Sequence, residues 1–294
     1  MKRMILKVPT SQFIGCDKLY READTVLFGA PYDSTTSFRP GTRFGPSAMR
    51  MESFGIETYS PAQDKDLVDD AEVFDSGDIE LPFGAPEPAL KMIEKRTAQI
   101  LEDGKRPFLL GGEHLVTLGA FRAVHKKYPN VVIIHFDAHA DLREDYLGNP
   151  LSHACVLRRC YDLIGEGRIF QFGIRSGTRE EFAFMKAGHV TTEPFADRTV
   201  AKVVKSISQK TPVYLTIDMD VLDPSEFPGT GTQEAGGFSY AQLVDDVRLI
   251  CTRLNVVAMD NVELNPGLDP TGRSTALACK FLRECLLSLS QKGK

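Results

Sequence analysis

The chain has 294 residues, 42% hydrophobic and 26% charged, with a formal net charge of −5 and its lysines and arginines scattered along its length. That is the composition of a soluble globular protein with a large core, and it argues against nucleic acid or an anionic membrane as the main partner. No apolar run approaches the roughly 18 residues of a membrane span, and Met1 to Val8 lacks the apolar region of a signal peptide. The six cysteines form no Cys-x-x-Cys pair, so the expected setting is a reducing cytoplasm.

Taken in order, Thr25 to Phe28 forms the first strong strand, and a loop rich in Ser, Thr, Gly and Pro runs from there to Phe44. Arg39 and Arg43 in that loop suit a substrate, a subunit contact or plain solvation. Gly45-Pro46 opens a helix, because a proline at the first helical position loses no hydrogen bond. A second strand with an irregular end lies within Ala71 to Leu81, and the stripe Leu90, Ile93, Thr97, Ile100 and Leu101 marks a core-facing helix from Pro86 to Gly104. Pro107 to Leu110 is a buried strand that runs into Gly111-Gly112-Glu113-His114, followed by a helix from about His114 to Lys127.

Val131 to Phe136 is the next strand, and it ends abruptly in Asp137-Ala138-His139-Ala140-Asp141. After a polar loop a helix starts near Ser152; a strand follows at Ile169 to Ile174, and helices at Arg179 to Lys186 and Val200 to Ile207. Pro212 to Ile217 is apolar until it meets Asp218-Met219-Asp220. The Gly-x-Gly at 229–231 has neither the spacing nor the strand-to-helix context of a dinucleotide loop. Ser239-x-x-Gln242 is a capping box, Val256 to Val262 is a strand ending at Glu263, and Leu277, Phe281, Leu282, Cys285 and Leu289 mark the last helix. Strand and helix alternate with no linker or repeat. The pattern predicts a single domain over residues 1–294, a doubly wound α/β fold with a mostly parallel sheet and helices on both faces.

Three strand ends carry metal-type side chains: His114 on one, Asp137, His139 and Asp141 on another, Asp218 and Asp220 on the third. In extended backbone, residues at i, i+2 and i+4 share a face, so Asp137, His139 and Asp141 are expected to converge, at the carboxyl end of a parallel sheet where such folds place ligands. Oxygen-rich ligands with some imidazole favour Mn²⁺ or a similar hard ion. Four carboxylates overcharge one ion, whereas two ions about 3.5 Å apart balance them and acidify water near neutral pH. His135, inside the apolar run, is expected to be a hydrogen-bonded core histidine and not a ligand.

Gly111-Gly112-Glu113-His114, Asp137 to Asp141, Thr216 to Pro224 and Val262-Glu263-Leu264-Asn265-Pro266 together resemble the ureohydrolases, the arginase and agmatinase superfamily. Arg39 to Pro46 and Gly173-Ile174-Arg175-Ser176 extend the likeness over nearly the whole chain, on the agmatinase side. The resemblance implies a three-layer α/β/α fold with a central eight-stranded sheet, two Mn²⁺ per subunit and a homotrimer or homohexamer. His114, Asp137, Asp141 and Asp218 would bind one ion; His139 and Asp220 would complete the second, sharing Asp137 and Asp218.

By the same resemblance the substrate is a small cationic guanidino compound, hydrolysed to urea and an amine. Glu263 matches the guanidinium-binding carboxylate, Asp141 would pass on the proton, and His153 matches a loop histidine that shuttles protons. Arg143 stands where an arginase carries an asparagine, and the segment after Arg175 lacks an arginase's acidic residue. Both departures from the arginase pattern favour a decarboxylated substrate, agmatine, giving putrescine, with aminopropylagmatine, guanidinobutyrate or arginine as the alternatives. Glu144 and Asp145 are candidates to meet the distal ammonium. Two rival readings remain: a single-zinc, deacetylase-like hydrolase on a related sheet, which metal stoichiometry would separate, and a non-catalytic binding subunit, which a missing ligand would mark.

Overall fold

A computed structural model describes residues 11–192 and 200–290, so the Met1–Val8 segment lies outside the described residues. In chain order the elements are β1 (Thr25–Ala30), α1 (Gly45–Glu52), the small pair β2 (Tyr59–Ser60) and β3 (Lys65–Asp66), the single turn α2 (Leu67–Asp70), β4 (Val73–Asp78) and α3 (Pro86–Glu102). There follow β5 (Arg106–Gly111), α4 (Val116–Lys127), β6 (Val132–Phe136), α5 (Val156–Ile164), β7 (Ile169–Phe172), α6 (Arg179–Lys186) and β8 (Thr191–Thr192). The last are α7 (Val200–Ser206), β9 (Pro212–Asp218), α8 (Tyr240–Arg253), β10 (Asn255–Val262) and α9 (Arg273–Leu289).

Eight strands form one sheet in the order β4-β1-β5-β10-β9-β6-β7-β8, with every neighbouring pair parallel. The sheet is therefore wholly parallel, and β2 and β3 pair antiparallel apart from it. Such a sheet must be covered on both faces, which is why its central strands are mostly apolar. Alternation assigns each residue to a layer. Val132, Ile134, Leu215 and Ile217 face a core shared with α1, α7, α8 and α9. Ile133 and Tyr214 face a second core shared with α3, α4, α5 and α6. The result is a three-layer α/β/α sandwich.

Local signals act as the chemistry requires. Ser239 and Gln242 cap α8 reciprocally, with Gln242 N–H on Ser239 Oγ at 3.3 Å and Ser239 N–H on Gln242 Oε1 at 3.0 Å. The helix expected from about His114 begins at Val116, and the one expected near Ser152 opens as a 3₁₀ turn over His153–Cys155 before α5. Among the described residues no helix is long and apolar enough to cross a membrane.

The chain leaves β5 and enters β6, yet β10 and β9 lie between those strands in the sheet. This reversal of strand order opens a crevice at the carboxyl ends of β5, β10, β9 and β6, where ligands bind in open α/β sheets. His114, Asp137 to Asp141, Asp218, Asp220 and Glu263 all follow or end these four central strands.

Candidate metal centre and pocket

After β5 the backbone turns so tightly that a Cβ on Gly112 would lie 2.0 Å from the Tyr32 carbonyl oxygen, so only glycine fits. This close approach carries His114 over the sheet end. Its Nδ1 lies 3.0 Å from Asp137 Oδ2, 3.1 Å from Asp141 Oδ2 and 3.3 Å from Asp218 Oδ2. His139 Nδ1 lies 2.9 Å from Asp220 Oδ2 and 3.5 Å from Asp137 Oδ1. Asp137 thus turns one oxygen to each imidazole.

The expected extended alternation holds only in part. β6 ends at Phe136, His139 makes an isolated bridge to Ser176, and Asp141 sits in left-handed backbone at φ 54°. It is therefore this bend, and not an extended strand, that brings Asp141 beside His114. Glu263 is also left-handed, at φ 66°. Such conformations cost about 1–3 kcal/mol each and persist where the surroundings over-determine them, commonly at functional sites.

The carboxylates are locked from behind. Asp137 Oδ1 accepts the His139 N–H at 2.6 Å, Asp218 Oδ1 the Asp220 N–H at 2.9 Å, and Asp220 Oδ1 the Ala138 N–H at 3.1 Å. His135 is fully buried, with Nε2 2.9 Å from Asp137 Oδ2 and Nδ1 3.1 Å from Gln171 Nε2. Both of its ring nitrogens thus have partners in the core, and its position orients Asp137. Beneath His114, Nε2 meets Thr216 Oγ1 at 3.0 Å, and Thr216 donates to Asp260 Oδ1 at 2.6 Å.

The charges identify what this cluster accommodates. Burial, then Asp220 and Asp137, push the Asp218 carboxyl well above the usual range. Burial and Asp137 push Asp141 up to about 7. Burial also works against Asp137, but the neighbouring imidazoles of His114, His135 and His139 outweigh it and hold Asp137 well down. Burial would lower His114, but Asp137, Asp141 and Asp218 outweigh it and raise the ring well above its ordinary value. The site is short of positive charge. His114 Nδ1 is buried without a hydrogen-bond partner, since the three nearby oxygens are close but misaligned. A bare ring nitrogen ringed by carboxylates fits a divalent cation, and two groups, His114 with His135 and Asp137, and Asp137 with His139 and Asp220, are compact enough to hold one.

A pocket of about 230 Å³ opens over the cluster. His114, His139, Asp141, His153, Asp218, Asp220 and Glu263 line it, and Asp137 lies directly beneath. Glu263 Oε1 accepts the His114 N–H at 2.7 Å. His153 approaches from the far loop, with Ser152 Oγ 3.3 Å from its Nδ1, and burial holds its imidazole down to about 4. The larger groove of about 550 Å³ between α3 and α4 is lined by scattered lysines and glutamates and has no convergent buried ligands.

The wall also includes Glu181 and Tyr146, which the motifs did not single out. Glu181 accepts the Leu142 N–H at 2.9 Å and the Thr178 N–H at 2.7 Å, and lies 3.5 Å from Arg143 Nε. Its one sequence signal is the capping box Thr178-x-x-Glu181. Arg143 stacks on Tyr146, 4.6 Å from the ring centre. Arg175 donates to the backbone carbonyls of Gly173, Asp220, Val221 and Glu234, which makes it a brace for the β9 loop. Glu144 and Asp145 do not reach the pocket: Glu144 accepts from Arg158 at 2.5 Å, and Asp145 from the Gly148 N–H at 2.9 Å. The loop turns both acids outward. Arg43 pairs with buried Asp33, and Arg39 offers its carbonyl to Asn265 Nδ2 at 3.0 Å.

The fold and the cluster define an arginase-type α/β/α protein. The arginase family model matches residues 23–288, and the chain belongs to that family. It is 47% identical over 276 residues to an agmatinase of Halalkalibacterium halodurans, covering 94% of this chain and 95% of that protein. A crystal structure from Clostridium difficile, provisionally called an agmatinase, superposes with a TM-score of 0.90 at 48% identity, over 94% of this chain and 100% of that one. A guanidinobutyrase of Pseudomonas aeruginosa is 36% identical, over 90% of this chain and 86% of its own length.

Proposed function

We propose that the chain is a binuclear manganese enzyme of the cytoplasm, one catalytic unit over residues 1–294 assembled as a homotrimer or homohexamer, that hydrolyses agmatine to putrescine and urea. The observation that carries this reading is the convergence of His114, Asp137, His139, Asp141, Asp218 and Asp220 with Glu263 in one pocket. The agmatinase relatives supply the substrate. His114, Asp137, Asp141 and Asp218 would hold one ion, and His139, Asp220, Asp137 and Asp218 the other. The chemistry such ions supply is the acidification of water, which makes a nucleophile at neutral pH.

The chain's own residues do the rest. Guanidinium is planar and resonance-stabilised, so its carbon must be held in line for attack. Glu263 Oε1 is already occupied by the His114 N–H, which fixes the carboxylate plane, and the remaining lone pairs accept guanidinium N–H groups. Asp141 takes the proton released when water adds to the guanidinium carbon and passes it to the departing amine as the carbon–nitrogen bond breaks, so water and agmatine balance to urea and putrescine. His153, neutral because burial holds its imidazole down, accepts a proton before it gives one and so relays between the pocket and solvent.

One feature favours a second substrate. Arg143 in the pocket wall offers a cation to an anionic tail such as that of guanidinobutyrate, although Glu181 beside it offsets that charge. Initial rates of urea release with Mn²⁺ should be compared for agmatine, arginine, guanidinobutyrate and aminopropylagmatine. The expected result is the highest kcat/KM for agmatine; a higher value for any other of the four overturns the substrate assignment.

A further inference from the structure

Glu113 belongs to the segment that delivers His114, yet it does not line the pocket. It is fully buried, and its carboxylate is spent on a remote loop. Glu113 Oε1 accepts the Thr35 hydroxyl at 2.6 Å, and Oε2 accepts the Thr35 N–H at 2.9 Å and the Thr36 hydroxyl at 3.1 Å. Three donors converge on one side chain. A carboxylate accepts from all three, whereas an amide has one accepting oxygen and would reverse the bond to the Thr35 hydroxyl by donating to it.

The Thr35 hydroxyl donates once and still accepts. What it accepts is the backbone N–H of His153, at 3.1 Å, from 118 positions along the chain. His153 opens a 3₁₀ turn whose flanking Ser152 gives no side-chain cap, so this N–H is one of the orphan donors of a helix start. Thr35 supplies the acceptor the turn itself lacks. The loops after β1, β5 and β6 are thereby tied through one carboxylate and one hydroxyl. The β1 loop is closed on its own account, with Asp33 Oδ2 accepting the Gly41 and Arg43 N–H groups at 2.9 and 3.2 Å, so it can act as a firm anchor.

We propose that Glu113 is a positioning residue that acts through the Thr35 hydroxyl to fix the backbone of His153, and thus the angle at which its imidazole faces the pocket. This rests on the role given above to His153. A loop shift of about 1 Å at a proton-transfer group is enough to cost up to about 100-fold in rate. The relay aligns the histidine without touching substrate.

The test uses Glu113→Gln, Thr35→Val and Thr35→Ser, each with native His153 and with His153→Asn, in the metal-loaded full chain. With native His153, Thr35→Val and Glu113→Gln should each lower kcat for agmatine about 10- to 100-fold, leave KM within about two-fold and leave metal content unchanged. Thr35→Ser should keep near wild-type kcat. With His153→Asn, both losses should largely vanish, since residues acting through one group are not additive. Hydrogen exchange of the 150–156 backbone should speed up in Thr35→Val and Glu113→Gln but not in Thr35→Ser. Losses that multiply with His153→Asn, or a Glu113→Gln protein that sheds metal, overturn the relay. If Glu113→Gln does not fold, Thr35→Val, at a half-buried loop position, carries the same test alone. If the wild-type chain releases no urea from any guanidino substrate, the functional reading fails, and unchanged exchange then overturns the positioning role as well.

Discussion

Thr216→Val is the most informative single change outside the pocket. Asp260 accepts the Tyr214 hydroxyl at 2.6 Å and the Thr216 hydroxyl at 2.6 Å, and all three side chains are buried. With its one proton given to Asp260, Thr216 Oγ1 accepts from His114 Nε2 at 3.0 Å. That choice puts the ring proton on Nε2 and leaves Nδ1 bare toward Asp137, Asp141 and Asp218. Valine keeps the shape and removes both links, stranding the His114 Nε2–H and taking one hydrogen bond from Asp260. A stranded buried donor costs about 1–3 kcal/mol and a lost hydrogen bond to a charged group about 1.5–3 kcal/mol, together about 4 kcal/mol. An unfolding entropy of about 2.1 cal/mol/K per residue converts this into a Tm fall of about 6 °C. Loss of an orienting partner behind a metal-bound imidazole typically weakens the metal about 10- to 100-fold. Calorimetric melting of the metal-stripped protein and titration with Mn²⁺ measure the two effects, with Thr216→Ser as the control that keeps the hydroxyl. Mn²⁺ binding by Thr216→Val as tight as by Thr216→Ser would refute the tautomer argument.

Three further outcomes are expected. Asp137→Ala removes the carboxylate that faces both His114 and His139, so metal content and activity should fall together; full activity at unchanged metal content contradicts a shared ligand. Glu263→Gln should reduce kcat/KM for agmatine about 100-fold or more, from the loss of charge-assisted hydrogen bonds worth about 1.5–3 kcal/mol each, and far-UV circular dichroism should show the fold intact. Asp269 folds the start of α9: it accepts the Ser274 N–H and hydroxyl at 2.8 and 2.6 Å and the Thr271 hydroxyl at 2.5 Å. Burial opposes ionisation, but hydrogen bonds from Ser274 and Thr271 outweigh it and hold the carboxyl at about 2. Because the folded value lies below the unfolded value of about 3.9, this stabilisation is complete above about pH 4 and is lost as pH falls toward 2. Melting from pH 7 to pH 2.5 should therefore show a smaller acid-dependent fall in Tm for Asp269→Asn than for wild type; identical slopes would remove Asp269 from the acid transition.

The strands were legible wherever they were long and buried on both faces. β1, β5, β6, β7, β9 and β10 announce themselves by their apolar runs, β4 shows only a short apolar start before its irregular end, and β8 is only Thr191–Thr192 and carries no periodicity. The hairpin of β2 and β3 escapes for the same reason. The outward turn of Glu144 and Asp145 was invisible, because an acidic loop reads alike whether it faces a pocket or solvent.

The sequence by itself determined which residues could hold a metal and at which strand ends they sit, because ligand type and apolar runs are local properties of the chain. Only the tertiary structure decided how they converge. Strand reversal sets β10 and β9 between β5 and β6, and the register of β9 on β10 places Thr216 opposite Asp260. The left-handed turn at Asp141 bends that carboxylate to His114. The link from Glu113 through Thr35 to His153 spans three loops distant in sequence. Hydrogen bonds between such segments depend on sheet order and register, which no local pattern encodes.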